Sequence, residues 1–135
     1  MNRGFIGILG IALLMVGCAH MRPAETRPML GTTEWSSFDG KVMPWNATLP
    51  PANTAVKGVV ITVHGLSGAA SDFWLLHERL PPAGYAVYGY ELRGQGHDPV
   101  ETARGDILNA KQWLRDLETF HLLVKKRHPG KKIFW

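Results

Sequence analysis

The sequence predicts an α/β fold in which an antiparallel hairpin leads into parallel strands joined by crossover helices. Three observations carry this expectation. Val59, Val60, Ile61 and Val63 form a nearly unbroken β-branched run, the pattern of a central strand covered on both faces, where a half-exposed strand would alternate. A second apolar run over residues 86–92 follows a short helical segment. Residues 106–127 then carry the clearest 3.6-residue period in the chain, and a third apolar run opens at Ile133. Strands alternating with helices build parallel sheets, and their crossovers are right-handed.

Taken in order, Asn2-Arg3 gives a short positive start, and residues 4–16 are thirteen uncharged positions. As a helix they would reach about 20 Å, short of the roughly 30 Å hydrocarbon core, so a signal h-region fits better than a spanning helix. The run ends in Leu14-Met15-Val16-Gly17-Cys18, which resembles a bacterial lipoprotein box with Met15 where Leu is usual. An ordinary buried cysteine would not explain a lone Cys directly after Gly17. The resemblance implies a signal peptide over residues 1–17, lipidation of Cys18, and anchoring to a membrane without spanning it. Ala19 stands where an Asp would retain the protein at the inner membrane. By analogy with enteric-type bacteria, this implies the bacterial cell envelope, on the periplasmic side of the outer membrane. Residues 18–33, with Pro23 and Pro28, read as a flexible tether.

Residues 34–47 read as a hairpin: a strand through Trp35 and Phe38, a two-residue turn at Asp39-Gly40, and a return strand through Val42, Met43 and Trp45. Pro44 confines that return strand to an edge or a bulge. After the central strand, Gly65 and Gly68 free the backbone around Leu66 and Ser67, so that peptide N–H groups can turn toward a pocket. Ser71 or Asp72 caps a helix over residues 73–80, with Phe73, Leu76, His77 and Leu80 on one face, and Pro81-Pro82 ends it. His77 reads as a rim histidine. Gly89 marks a close approach within the second strand. On the long helix, Ala110, Trp113, Leu114, Leu117, Phe120, His121 and Val124 form the buried stripe, with His121 as a core histidine. Asp106 at its start and Lys125-Lys126-Arg127 at its end follow the order the helix dipole favours.

With 45% hydrophobic and 19% charged residues the composition is that of an ordinary globular protein. A net charge of +4 is too small a bias to indicate nucleic-acid binding, and Lys125, Lys126, Arg127, Lys131 and Lys132 solvate a helix end. The spacing of Gly94 and Gly96 lacks the third glycine of a dinucleotide fingerprint, because Pro99 stands there. No cofactor or metal is implied.

His64-Gly65-Leu66-Ser67-Gly68, then Gly84-Tyr85-x-Val87, then the run from Glu91-Leu92-Arg93-Gly94 to Gln95-Gly96-His97-Asp98 resemble the α/β-hydrolase fold. The branch they resemble is the monoacylglycerol lipase/lysophospholipase-like serine hydrolases, of the serine aminopeptidase S33 type. The resemblance spans residues 34–135 and implies the N-terminal part of an α/β-hydrolase sheet. It assigns the backbone N–H of Leu66 to one half of an oxyanion hole. His64, Gly65, Gly68, Arg93, Gly94 and Gly96 become loop scaffold, and the substrate a lipid ester or other small ester. In the family the second loop reads Asp-x-Arg-Gly-x-Gly-x-Ser; here Glu91 replaces the Asp and Asp98 the Ser. Ser67 occupies the Pro position of the His-Gly-x-Pro and His-Gly-Gly-Pro-Gly branches, which speaks against both.

Acyl transfer by this fold needs a nucleophile in Gly-x-Ser-x-Gly, then an acid and a histidine. None of the 135 residues forms that motif, and Ser36, Ser37, Ser67 and Ser71 all precede the strand at Ile133 after which it would come. His64 is expected to bond the loop backbone, not to activate Ser67. The expectation is therefore the N-terminal part of a membrane-tethered carboxylic-ester hydrolase, inactive alone, with the catalytic groups encoded later. The alternative is a non-catalytic, membrane-tethered binding or interaction module. Against it stands the three-residue partner at Ile133, which would leave an apolar central strand largely uncovered.

Overall fold

The computed structural model describes residues 27–106 and 109–135; the expected signal peptide, Cys18 and the first part of the expected tether lie outside the described residues. Six strands form one sheet in the order β1-β2-β3-β5-β4-β6. They are β1 (Met29–Leu30), β2 (Glu34–Ser36), β3 (Val42–Thr48), β4 (Gly58–Thr62), β5 (Tyr85–Tyr90) and β6 (Lys132–Phe134). The first three pair antiparallel, β3 joins β5 antiparallel, and β5, β4 and β6 are parallel. Helix α1 (Trp74–Arg79) links β4 to β5, and α2 (Ala110–Arg127) links β5 to β6. The two crossovers run in opposite directions across the sheet, so right-handed connections put the helices on opposite faces.

Side-chain alternation carries out that division. Val59, Ile61, Ala86, Tyr88 and Tyr90 join Phe120 and Val124 of α2 in the core. Thr62 and Gly89 point to the other face, where a Cβ on Gly89 would lie 2.8 Å from Thr62 Oγ1 and 2.9 Å from Asn46 Oδ1. The expected close approach at Gly89 is thus between β3, β4 and β5. Aromatic rings fill the α2 face: Trp35 meets Tyr90 and Phe120 edge-on at 5.3 and 5.0 Å, and Trp45 stacks on Tyr88 at 5.7 Å. Such pairs are worth about 0.5–1.5 kcal/mol each beyond area burial. Val59 and Ile61 are 0% and 1% exposed, which makes β4 the covered central strand. Val63 falls past its end and is exposed.

Several elements differ from expectation. The hairpin turn spans residues 37–41, so Phe38 lies in the loop: Ser37 N–H donates to Lys41 O at 2.9 Å and Gly40 takes φ +84°. A two-residue turn is prevented because Asp39 is turned back toward Lys41 N and Arg93. β3 is an interior strand despite Pro44. That proline sits where β3 passes from β2 to β5, and its carbonyl accepts from Glu91 N–H just beyond the last residue of β5. The missing donor thus falls past the ladder's end. Sheet pairing also begins inside the expected tether, with Met29 opposite Ser36 and Leu30 opposite Trp35.

At α1, a 3₁₀ turn over Ala70–Phe73 comes first, and Asp72 Oδ2 accepts from Ala69 N–H at 2.9 Å; no Ser71 cap forms. α2 starts four residues after Asp106 and is capped by Asn109, whose Oδ1 accepts from Lys111 N–H. Its buried line runs through Trp113, Asp116, Leu117, Phe120 and Val124, whereas Ala110 and Leu114 are exposed. His121 is half-buried and stacks on Trp135 at 5.2 Å. Among the described residues, no helix is long and apolar enough to cross a membrane.

Candidate functional site

The loop 64–68 leaves the C-terminal end of β4 as a tight turn in which Gly68 N–H donates to Gly65 O at 3.1 Å. The backbone freedom expected at the two glycines falls elsewhere: Ser67 is the residue at φ +59°, uncommon for a side chain with a Cβ. A Cβ on Gly68 would lie 2.7 Å from Asp72 Oδ2 and displace that carboxylate, while a Cβ on Gly65 meets nothing within 4 Å. Ser67 N–H donates to Gln95 Oε1 at 3.0 Å, and that bond pins the strained turn. Leu66 N–H, between these anchored peptides, has no acceptor among the described residues, and the Leu66 side chain is exposed.

His64 is buried beneath the turn. Its Nδ1 bonds Gly65 O at 2.9 Å, and its Nε2 receives the N–H of Leu92 at 2.9 Å. The same Nε2 lies 3.2 Å from Glu91 Oε2, so amide and carboxylate compete for one nitrogen. The amide needs the lone pair and the neutral ring; the carboxylate favours a proton there. Burial pushes the imidazole down, Glu91 and the Gly65 carbonyl pull it up, and the balance lies above the ordinary histidine value. Neither nitrogen contacts Ser67. Although a nucleophile elbow is also a strained strand-to-helix turn, the Ser67 hydroxyl has no base among the described residues.

The second loop is built around two carboxylates. Burial pushes Glu91 up, but the nearby imidazoles of His64 and His97 and the Ala70 amide outweigh it and hold the carboxyl at about 2. Glu91 thereby ties the end of β5 to the start of the turn before α1. Asp98 is fully buried and accepts from Gly94 N–H and Val100 N–H, both at 2.8 Å, and from Lys41 Nζ at 2.7 Å. Burial pushes its carboxyl up, and these three donors lower it below the usual range. Gly94 and Gly96 take φ +73° and +54°. A Cβ at Gly94 would lie 2.6 Å from Asp106 O, and one at Gly96 would collide with Glu91 Oε2.

Arg93 lies under this loop. Its Nε and Nη2 donate to Asp116 at 2.9 and 2.8 Å, and Nη1 and Nη2 to Asp39 at 2.9 and 3.0 Å. The Asp116 bonds, followed by those to Asp39, raise the guanidinium's already high affinity for its proton. Asp116 also accepts from Ser37 Oγ at 2.5 Å, so hairpin, loop and α2 meet at one fork. A cavity of about 230 Å³ lies below, between Arg93, Asp98, Ala103, Gln112 and Trp113, and does not reach Leu66.

His64, Gly65, Leu66 and Gly68 are thus brought together with Gly96, and Arg93 and Gly94 form a layer beneath. Sequence reasoning missed Gln95 and Asp116. A carboxylate at the third position from Trp113, on the apolar face of α2, was the available signal, because a buried Arg93 needs a buried acid. Nothing in the sequence marks Gln95, which is 2% exposed.

The family described as Serine aminopeptidase, S33, matches residues 54–135. No curated protein sequence matches the chain. Among solved structures, a thermostable carboxyl esterase from Bacillus coagulans in complex with glycerol is similar at TM-score 0.61 and 19% identity, over 79% of this chain and 34% of its own. A soluble variant of monoglyceride lipase from Saccharomyces cerevisiae, in complex with a substrate analog, gives 0.64 and 22%, over 84% and 37%. An α/β serine hydrolase without lid from Xanthomonas campestris gives 0.58 and 19%, over 79% and 51%. At these identities the likeness is one of fold, and the chain spans about a third to a half of those proteins. With more than half of its length matched by one family, and with a sheet of the corresponding topology, the chain belongs to the serine aminopeptidase S33 family of α/β-hydrolases.

Proposed function

We propose that this chain supplies the oxyanion loop of a carboxylic-ester hydrolase acting on lipid esters of the lysophospholipid or monoacylglycerol class, tethered to the periplasmic side of the outer membrane through lipidated Cys18. The observation that carries the reading is the Leu66 N–H, held without an acceptor in a turn pinned on both sides. When a carbonyl is attacked, its oxygen gains charge, and a fixed amide donor favours that charge over the neutral substrate. One such donor is worth about 10² to 10³ in turnover.

The nucleophile, acid and base come, in this reading, from residues beyond these 135, because Gly-x-Ser-x-Gly does not occur among them. The likeness of fold to a monoglyceride lipase in complex with a substrate analog supports a lipid ester over a water-soluble one. A serine-reactive fluorophosphonate applied to the 135-residue chain tests the division of labour. No labelled serine is expected; a label on Ser67 would overturn it.

A further inference from the structure

The cations at the end of α2 play no part in the site, yet the structure brings the start of the described chain to the same place. A groove of about 360 Å³ runs between Pro28, Met29 and Leu30 on one side and Leu123, Lys126 and Arg127 on the other. Its lining is apolar: Leu30 and Leu123 pack against the core, and Met29 is 60% exposed. Its rim is basic. Arg127 lies 5.1 Å from the Trp45 ring centroid and donates Nη2–H to Leu30 O at 3.3 Å, which holds the guanidinium across the groove. Lys125 and Lys126 are exposed, and none of the three forms an ion pair among the described residues. The last two turns of α2, residues 121–127, hold no acidic side chain.

We propose that this groove and its basic rim dock onto the anionic phospholipid surface of the membrane that holds Cys18, an inference that rests on the lipid-anchor reading above. Arg27 stands nine positions after Cys18, a span of at most about 30 Å when extended. The anchor therefore keeps the groove within reach of the bilayer, so that weak surface contacts act at high effective concentration. A cation near an anionic surface contributes enough to change binding about fivefold, and Met29, 60% exposed, is placed to enter the headgroup layer. α2 runs antiparallel to the parallel strands, so its C-terminal end lies at their N-terminal edge. Docking there turns the 64–68 loop, at the opposite edge, away from the bilayer.

The test uses the lipidated full-length protein carrying Met29→Cys. The new thiol is labelled with an environment-sensitive maleimide, and the protein is reconstituted into phosphatidylcholine vesicles with or without phosphatidylglycerol. A blue shift is expected only with phosphatidylglycerol and should be reversed by salt. Lys125→Gln with Lys126→Gln should weaken the docking roughly thirtyfold, about fivefold per cation, whereas Lys111→Gln at the far end of α2 should leave it unchanged. Equal emission in both vesicle types, or a shift that survives the double substitution, would overturn the docking surface while leaving the anchor intact. Two dyes per chain would instead show Cys18 unmodified and overturn the anchor itself.

Discussion

Arg93 joins three segments that are far apart in sequence, through four charge-assisted hydrogen bonds to Asp39 and Asp116. Removing it strands Asp116, 1% exposed, as a buried unpaired carboxylate. Arg93→Met should therefore destabilise by about 3–5 kcal/mol in urea unfolding. Arg93→Lys should recover only a minor part, because an ammonium cannot span two carboxylates as the planar fork does. Glu91 makes a pH-dependent contribution. Its carboxyl lies at about 2 against 4.5 in a free chain, so the stability it adds is full above 4.5 and is lost as pH falls toward 2. A difference of that size corresponds to a contribution on the order of 3 kcal/mol. Urea midpoints of the native chain and Glu91→Gln should differ at pH 6 and converge as the acid limit is approached.

At the scale of elements, the loop after β4 keeps its shape through partners contributed by the loop after β5. Gln95 bonds the strained Ser67 amide, and Glu91 holds Ala70. Gln95→Leu should speed hydrogen exchange at Ser67 while leaving the β4 amides protected, since the ladder of β4 with β5 and β6 does not involve Gln95. The glycine-flanked turn, the covered strand and the long helix were legible because each rests on local pattern. The stripe of α2 was displaced from prediction for a tertiary reason. Asp116 turns inward to meet Arg93, and Trp113 Nε1 donates to Arg93 O, so the buried arc is rotated to take in Asp116 at one edge and leave Leu114 exposed at the other. A side chain's partner across 23 or 79 positions, as with Arg93 or Ser37 and Asp116, leaves no periodic trace.

For the whole molecule, the family and the sheet topology were readable from two loop motifs, because the fold places both at the ends of adjacent parallel strands. The hairpin's five-residue turn and the pairing of Met29 and Leu30 were not, since the first depends on Asp39 meeting Arg93, 54 positions away, and the second on Leu30 packing against the core. The proposed lipidation and membrane docking belong to this scale as well; together they would set which end of the sheet meets the bilayer. The central claim remains confined to one peptide group, the Leu66 amide as donor to a reacting carbonyl oxygen. The direct measurement replaces that amide N–H by an ester oxygen, through leucic acid at position 66, in the hydrolase that includes the nucleophile. The account predicts that kcat for ester cleavage falls about 10² to 10³ with KM little changed. An unchanged kcat would contradict it.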